Sequence, residues 1–124
     1  MAMLISIDLN KHWYHLRTPL KPIHSLSERP DYLTLYGSAY GIGDQESPAM
    51  VLRKLPIPCG TWTTEMEFDP ASEHEEAGTT VYLSLHSYLA LSVRRDADGQ
   101  RKVTLRWPED QMETKFVVSN LASW

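Results

Sequence analysis

Little in this sequence offers a covalent or ionic shortcut to a fold. It has one cysteine, Cys59, so no intrachain disulfide can form and an oxidised scaffold is excluded. Between Pro58 and Gly60 that thiol reads as a small buried hydrophobe or an idle group. Basic charge is also scarce: the formal net charge is −4 with acids and bases mixed, which excludes the electrostatic footprint of a nucleic-acid binder. No apolar run reaches membrane-spanning length. The start, "MAMLISIDLNKHW", lacks the basic flank and long apolar stretch of a secretory signal. The expected location is therefore cytoplasmic unless the chain belongs to a longer secreted protein. Amphipathic helices, internal repeats and low-complexity tracts are missing as well. So are the G-x-S-x-G elbow, the phosphate-binding glycine loop and the HExxH motif.

What is present is alternation. At 124 residues the chain has the length of one domain, with 1–124 read as a single β-sandwich module. The first run reads as a strand with Ile5, Ile7 and Leu9 on one face. "YLTLY" alternates Leu33 and Leu35 with Tyr32, Thr34 and Tyr36. "TWTTEMEFD" sets Trp62, Thr64, Met66 and Phe68 against Thr61, Thr63, Glu65 and Glu67, which predicts a firmly buried strand. Further runs offer Val81, Leu83 and Leu85, then Leu89, Leu91 and Val93, then Val103, Leu105 and Trp107. A last short strand is expected around Phe116.

The numbering of these apolar positions constrains the turns. All are odd from Val81 to Trp107, so one shared buried layer requires odd-length connections. His86, Ser87 and Tyr88 supply the first loop. Ala97, Asp98 and Gly99 supply the second, with Gly99 in the left-handed position. Val93 then faces Val103, and Leu91 faces Leu105. Three antiparallel strands follow, roughly 78–86, 88–95 and 101–107. Strands with one apolar face each stack on a second sheet, so an antiparallel β-sandwich is expected and a closed barrel is the alternative.

The acidic stretch before this meander, Asp69, Glu73, Glu75 and Glu76 with His74, has three readings: a metal site, a catalytic carboxylate pair, or a solvated loop. It lacks the ligand order of a calcium loop. Glu75 and Glu76 are sequence neighbours and point to opposite faces of a strand entry, which is wrong for a glycosidase pair. A structural loop leading into Ala77-Gly78, whose small side chains allow close packing, fits best. The histidines at 12, 15, 24, 74 and 86 show no ligand spacing beyond His12 and His15, in an expected loop, and read as packing or surface residues. No metal or cofactor is implied.

Four segments, "HWYHLRTPL" (12–20), "SLSERPDYLTLYGS" (25–38), "SPAMVLRKL" (47–55) and "FDPASEHEEAGTTVYLSLHSYLALSV" (68–93), carry a resemblance that covers most of residues 8–107. Together the chain resembles the C-terminal concanavalin A-like module of family 43 glycoside hydrolases, the β-xylosidases and α-arabinofuranosidases. The resemblance implies an all-β, jelly-roll type sandwich that packs on a β-propeller catalytic domain and does no chemistry itself. The propeller carries that family's catalytic carboxylates, and the family's module is longer, so a truncated, non-catalytic module is expected.

The implied role is an accessory one, supporting a glycoside hydrolase catalytic domain in xylan breakdown. The alternative is a free-standing lectin-like carbohydrate-binding module. Expected partners are that catalytic domain, another copy of the chain through exposed strand edges, or a xylo-oligosaccharide, with no nucleic acid and no membrane. Trp13, Arg17, Tyr36, Tyr82 and Tyr88 are the candidate contacts to sugar or to a neighbouring domain. The plain alternative is packing: Trp13 in the core, Arg17 closing the sandwich with a hydrogen bond to backbone, and the outward strand tyrosines Tyr36 and Tyr82 as cross-strand pairs, with Tyr88 in the expected hairpin loop.

Overall fold

The computed structural model describes residues 2–4, 12–56, 58–109 and 112–121, and every regular element among them is a β-strand. The chain divides into two compact units, Met1–Glu67 and Phe68–Trp124.

In the first unit the strands are short: β1 Ala2–Leu4, β2 Trp13–His15, β3 His24–Ser25, β4 Tyr32–Leu35, β5 Val51–Arg53 and β6 Met66–Glu67. They form a four-stranded antiparallel sheet of order β3-β4-β1-β6 and a separate β2-β5 ribbon. The alternation in "YLTLY" holds, because Leu33 and Leu35 are buried while Tyr32 and Thr34 are not. Ile23 and Met50 are buried too. The first expected strand is seen at Ala2–Leu4; Ile5, Ile7 and Leu9 lie outside the described residues.

Three positions in this unit differ from expectation. "TWTTEMEFD" is a strand only at Met66–Glu67, and Trp62 is 52 % exposed rather than buried. Thr64, a hydroxyl in the middle of the supposed apolar face, breaks the set and instead accepts the indole N–H of Trp62 at 3.0 Å. Trp13 and Tyr14 lie in β2 rather than in a loop, where the ladder Trp13↔Arg53, Tyr14↔Leu52, His15↔Val51 holds them. Cys59 is exposed, not buried, in the irregular stretch between β5 and β6.

The second unit is one antiparallel sheet of order β10-β9-β8-β7, from β7 Glu76–Ser84, β8 Ser87–Arg95, β9 Arg101–Glu109 and β10 Met112–Leu121. The β8–β9 connection follows the expected design. Val93 faces Val103 and Leu91 faces Leu105. Gly99 has φ +82°, and Asp96 N–H donates to the Gln100 carbonyl across the three loop residues. The β7–β8 connection follows a different one. The turn has two residues, Leu85 and His86, and the ladder skips Leu83 between Tyr82↔Tyr88 and Ser84↔Ser87. That bulge supplies the extra residue that parity demands, and Tyr88 lies in β8 instead of a loop. Gly78 is required by the approach of β8, since a Cβ there would sit 2.1 Å from the Leu91 carbonyl oxygen.

The shared buried layer is not observed. Along the odd-numbered face Val93 is buried, but Leu91 is 42 %, Leu89 43 %, Val81 53 % and Leu83 81 % exposed. The even-numbered face is the covered one, with Tyr88, Ala90, Ser92, Thr104 and Arg106 all buried. Alternation determines which residues share a face; it does not determine which of the two faces is buried.

Candidate functional site

The acidic stretch resolves into separate contacts. The Asp69 carboxylate faces Arg95 at 3.3 Å and Arg101 at 3.5 Å. Arg95 Nε donates to the Pro70 carbonyl at 2.7 Å, and Arg94 donates to the Glu73 carbonyl at 2.9 Å. The Glu75 carboxylate accepts the Ala71 N–H at 2.6 Å, closing the loop on itself. Glu76 turns into the sheet, pairs with Arg106 and accepts from Ser92 Oγ at 3.3 Å, while Ser92 and Thr104 hydroxyls lie 3.2 Å apart. Three arginines at the ends of β8 and β9 thus pin the loop, and its four acids diverge. Among the described residues no three His, Cys, Asp or Glu side chains gather as metal ligands.

Of the five candidate contact residues, Trp13, Arg17 and Tyr36 belong to the first unit and Tyr82 and Tyr88 to the second. Arg17, with φ +60°, donates to the Asp44 and Glu46 carbonyls. These bonds hold a left-handed backbone that is otherwise unfavourable for a long side chain. Tyr36 is exposed, and its hydroxyl donates to Glu28, which pushes the phenol above its usual pKa. Tyr82 and Tyr88, cross-strand partners, stack with centroids 6.4 Å apart and planes 17° apart. Tyr88 is buried and Tyr82 half-buried.

Trp13 alone joins a cluster with an open aromatic face. Its ring meets Trp62 edge to face, centroids 6.5 Å apart at 62°. Arg53, its cross-strand partner, places its guanidinium 5.8 Å from the Trp13 ring centroid, within cation–π range. Trp13 Nε1 is buried with no acceptor among the described residues, whereas Trp62 is half exposed. Sequence reasoning missed Trp62 and Arg53. The usable signal was the threonine run around Trp62, which suits an exposed segment better than a core strand.

Two imidazoles form a second grouping. His15 of β2 and His24 of β3 lie 5.2 Å apart between centroids, tilted by 35°. Partial burial, with repulsion from His15 added, holds His24 below the usual imidazole range. On the same unit Arg29 grips the Glu67 carboxylate through both terminal nitrogens and lies 3.9 Å over the Tyr32 ring. The Arg29 hydrogen bond keeps Glu67 below the ordinary carboxylate range.

Comparison with known proteins gives the context for these sites. The family model described as "Beta xylosidase C-terminal Concanavalin A-like domain" matches residues 6–122. The non-reducing end alpha-L-arabinofuranosidase BoGH43B of Bacteroides ovatus is 30 % identical over 98 residues, 79 % of this chain and 18 % of that protein. A xylan 1,3-beta-xylosidase of Vibrio sp is 34 % identical over 77 residues, 62 % of this chain and 14 % of that enzyme. The xylosidase/arabinosidase 43B of Humicola insolens is 28 % identical over 116 residues, 94 % of this chain and 19 % of that enzyme. No solved structure matches the chain significantly.

Proposed function

Because the chain belongs to the β-xylosidase C-terminal concanavalin A-like family, we propose that it is a non-catalytic accessory β-sandwich that packs on and supports a glycoside hydrolase catalytic domain in xylan-type carbohydrate breakdown. The observation that carries this reading is the uncovered odd-numbered face of the β7–β8 hairpin, Val81, Leu83, Leu89 and Leu91. An apolar sheet face in water is a docking surface, since each Å² removed from solvent contributes about 25 cal/mol. No charge interrupts it: positions 77, 79, 81, 83, 89, 91, 93, 103, 105 and 107 are all uncharged.

The carboxylates support the same reading from the chemical side. Acid–base cleavage of a glycoside needs two carboxyl groups about 5–10 Å apart across a sugar-sized space, whereas the Asp69, Glu75 and Glu76 carboxylates serve the loop or the sheet and that of Glu73 lies 3.8 Å from exposed His74. The chain spans 14–19 % of the relatives it matches, a share suited to one module of a larger enzyme.

The test is association. A family 43 catalytic domain stripped of its own C-terminal module is mixed with this chain, and complex formation and thermal stabilisation are measured. Binding that Leu83→Asp or Leu89→Asp weakens supports the proposal; a catalytic domain that neither binds nor gains stability refutes it. The chain alone is expected to release no nitrophenol from a nitrophenyl xyloside.

A further inference from the structure

The structure assigns a second recognition surface to the first unit: we propose that the half-exposed Trp62 indole, braced by Trp13, whose own ring lies under the Arg53 guanidinium, is a stacking subsite for a neutral pyranose ring. The choice of sugar as ligand rests on the accessory role in carbohydrate breakdown; the geometry is independent of it.

A pyranose has one face made largely of C–H bonds, whose positive polarisation suits the negative face of an indole π system. Stacking of this kind needs an aromatic ring that is open to solvent yet fixed in orientation. Trp62 meets both conditions. It is half exposed, its indole N–H is tied to Thr64 Oγ1 at 3.0 Å, and the Trp13 ring braces it at 62°. Without those two restraints an exposed tryptophan in an irregular stretch would lose rotamer freedom on binding and gain little.

Arg53 gives the platform its polarity. A guanidinium offers up to five N–H donors and no acceptor, which fits hydroxyl oxygens at the rim of a stacked sugar. Its strand position beside Trp13 places it by backbone register rather than by loop conformation. The same charge argues against a quaternary ammonium ligand, which aromatic cages otherwise favour. The chain's net charge of −4 argues against a polyphosphate backbone. A neutral polyhydroxylated ring suits both the half-exposed indole and the donor held at the Trp13 end of the same cluster.

The probe is xylotriose, titrated into the whole chain with tryptophan fluorescence and with the indole N–H signals in two-dimensional NMR as readouts. The expected result is a saturable change centred on the Trp62 signal. Trp62→Ala should weaken binding about tenfold or more, as loss of a central aromatic anchor does. Trp62→Phe should retain part of the affinity, and Arg53→Gln should lower it several-fold, by rough analogy with loss of a charged hydrogen-bond donor. Thr64→Val, which frees the indole without removing it, keeps the test sharp should Trp62→Ala disturb folding, and it too should weaken binding. An unchanged Trp62 signal in the parent chain, or equal affinity in Trp62→Ala, overturns the proposal. The outcome separates from that of the accessory role. A chain that binds xylotriose through Trp62 but ignores a catalytic domain keeps only the subsite. One that docks without Trp62-dependent sugar binding keeps only the accessory role.

Discussion

Strands in Met1–Glu67 are two to four residues long, while those in Phe68–Trp124 are nine or ten. The shorter set cannot rest on ladder hydrogen bonds and depends on a small apolar centre, Ile23, Leu33, Leu35 and Met50. The longer set has abundant ladder bonds, and its covered face mixes Tyr88 and Ala90 with Ser92, Thr104 and the Glu76–Arg106 pair. Apolar burial thus dominates one region and backbone pairing the other. In the long sheet Leu83, Leu89 and Leu91 stay exposed.

The largest effect expected from this contrast is at Leu33, which is fully buried. Leu33→Ala removes packed methyl groups and leaves a cavity, which costs about 2–5 kcal/mol. Leu83→Asn in the long sheet should change stability by no more than ~0.5 kcal/mol, as exposed substitutions do. Urea unfolding of the two variants reads both numbers. Equal losses would break the contrast, because they would show that Leu83 is covered in solution.

Gly78 sharpens it from the other side. A Cβ there meets the Leu91 carbonyl, which is backbone and cannot swing away, so Gly78→Ala must push β7 off β8. The cost of such overpacking is about 1–3 kcal/mol, and faster amide exchange should be confined to β7 and β8. Gly99→Ala carries a smaller penalty of about 1 kcal/mol, set by the φ of +82° alone, since nothing lies near the added methyl group. If Gly78→Ala proves no worse than Gly99→Ala, close strand approach does not limit the long sheet.

Sequence alone carried the long sheet well and the short one poorly, for a physical reason. Period-two patterns need several repeats to stand out, and the runs at 81–93 and 101–107 have them. Gly99 marked its turn because only a left-handed residue closes that loop. The two-residue strands at His24–Ser25 and Met66–Glu67 offer no period to read. Parity required an odd insertion between β7 and β8, but a bulge and a longer loop satisfy it equally, and the ladder chose the bulge. The covered face was misjudged because Leu and Val report what would favour burial, and Arg106 reports what its partner Glu76 allows. Of the candidate site only Trp13 was legible. Its neighbours Trp62 and Arg53 reach it across the fold, and no spacing in the chain encodes that meeting.

The smallest expected effect concerns pH and belongs to the short-stranded unit alone. His24 is held below its ordinary value of 6.5 by burial and by His15, so folding favours its neutral form. Protons bind the unfolded chain more readily there. The contribution is therefore complete above about pH 6.5 and is lost as pH falls towards the folded value. The charged and titratable neighbours are few. His15 stands on β2 and Lys21 in the β2–β3 connection, while the cross-strand partners Leu35 and Val51 carry no charge. Glu67, held low by Arg29, gives a second loss in the same direction at more acidic pH, from about 4.5 downward. Urea midpoints of the parent chain should decline in both windows. His24→Gln should flatten the upper decline and leave the lower one, whereas Glu67→Gln should do the reverse. A His24→Gln variant with an unaltered slope just below pH 6.5 would mean that the imidazole pair is open to water in solution, and that the short strands around it are looser than their buried leucines imply.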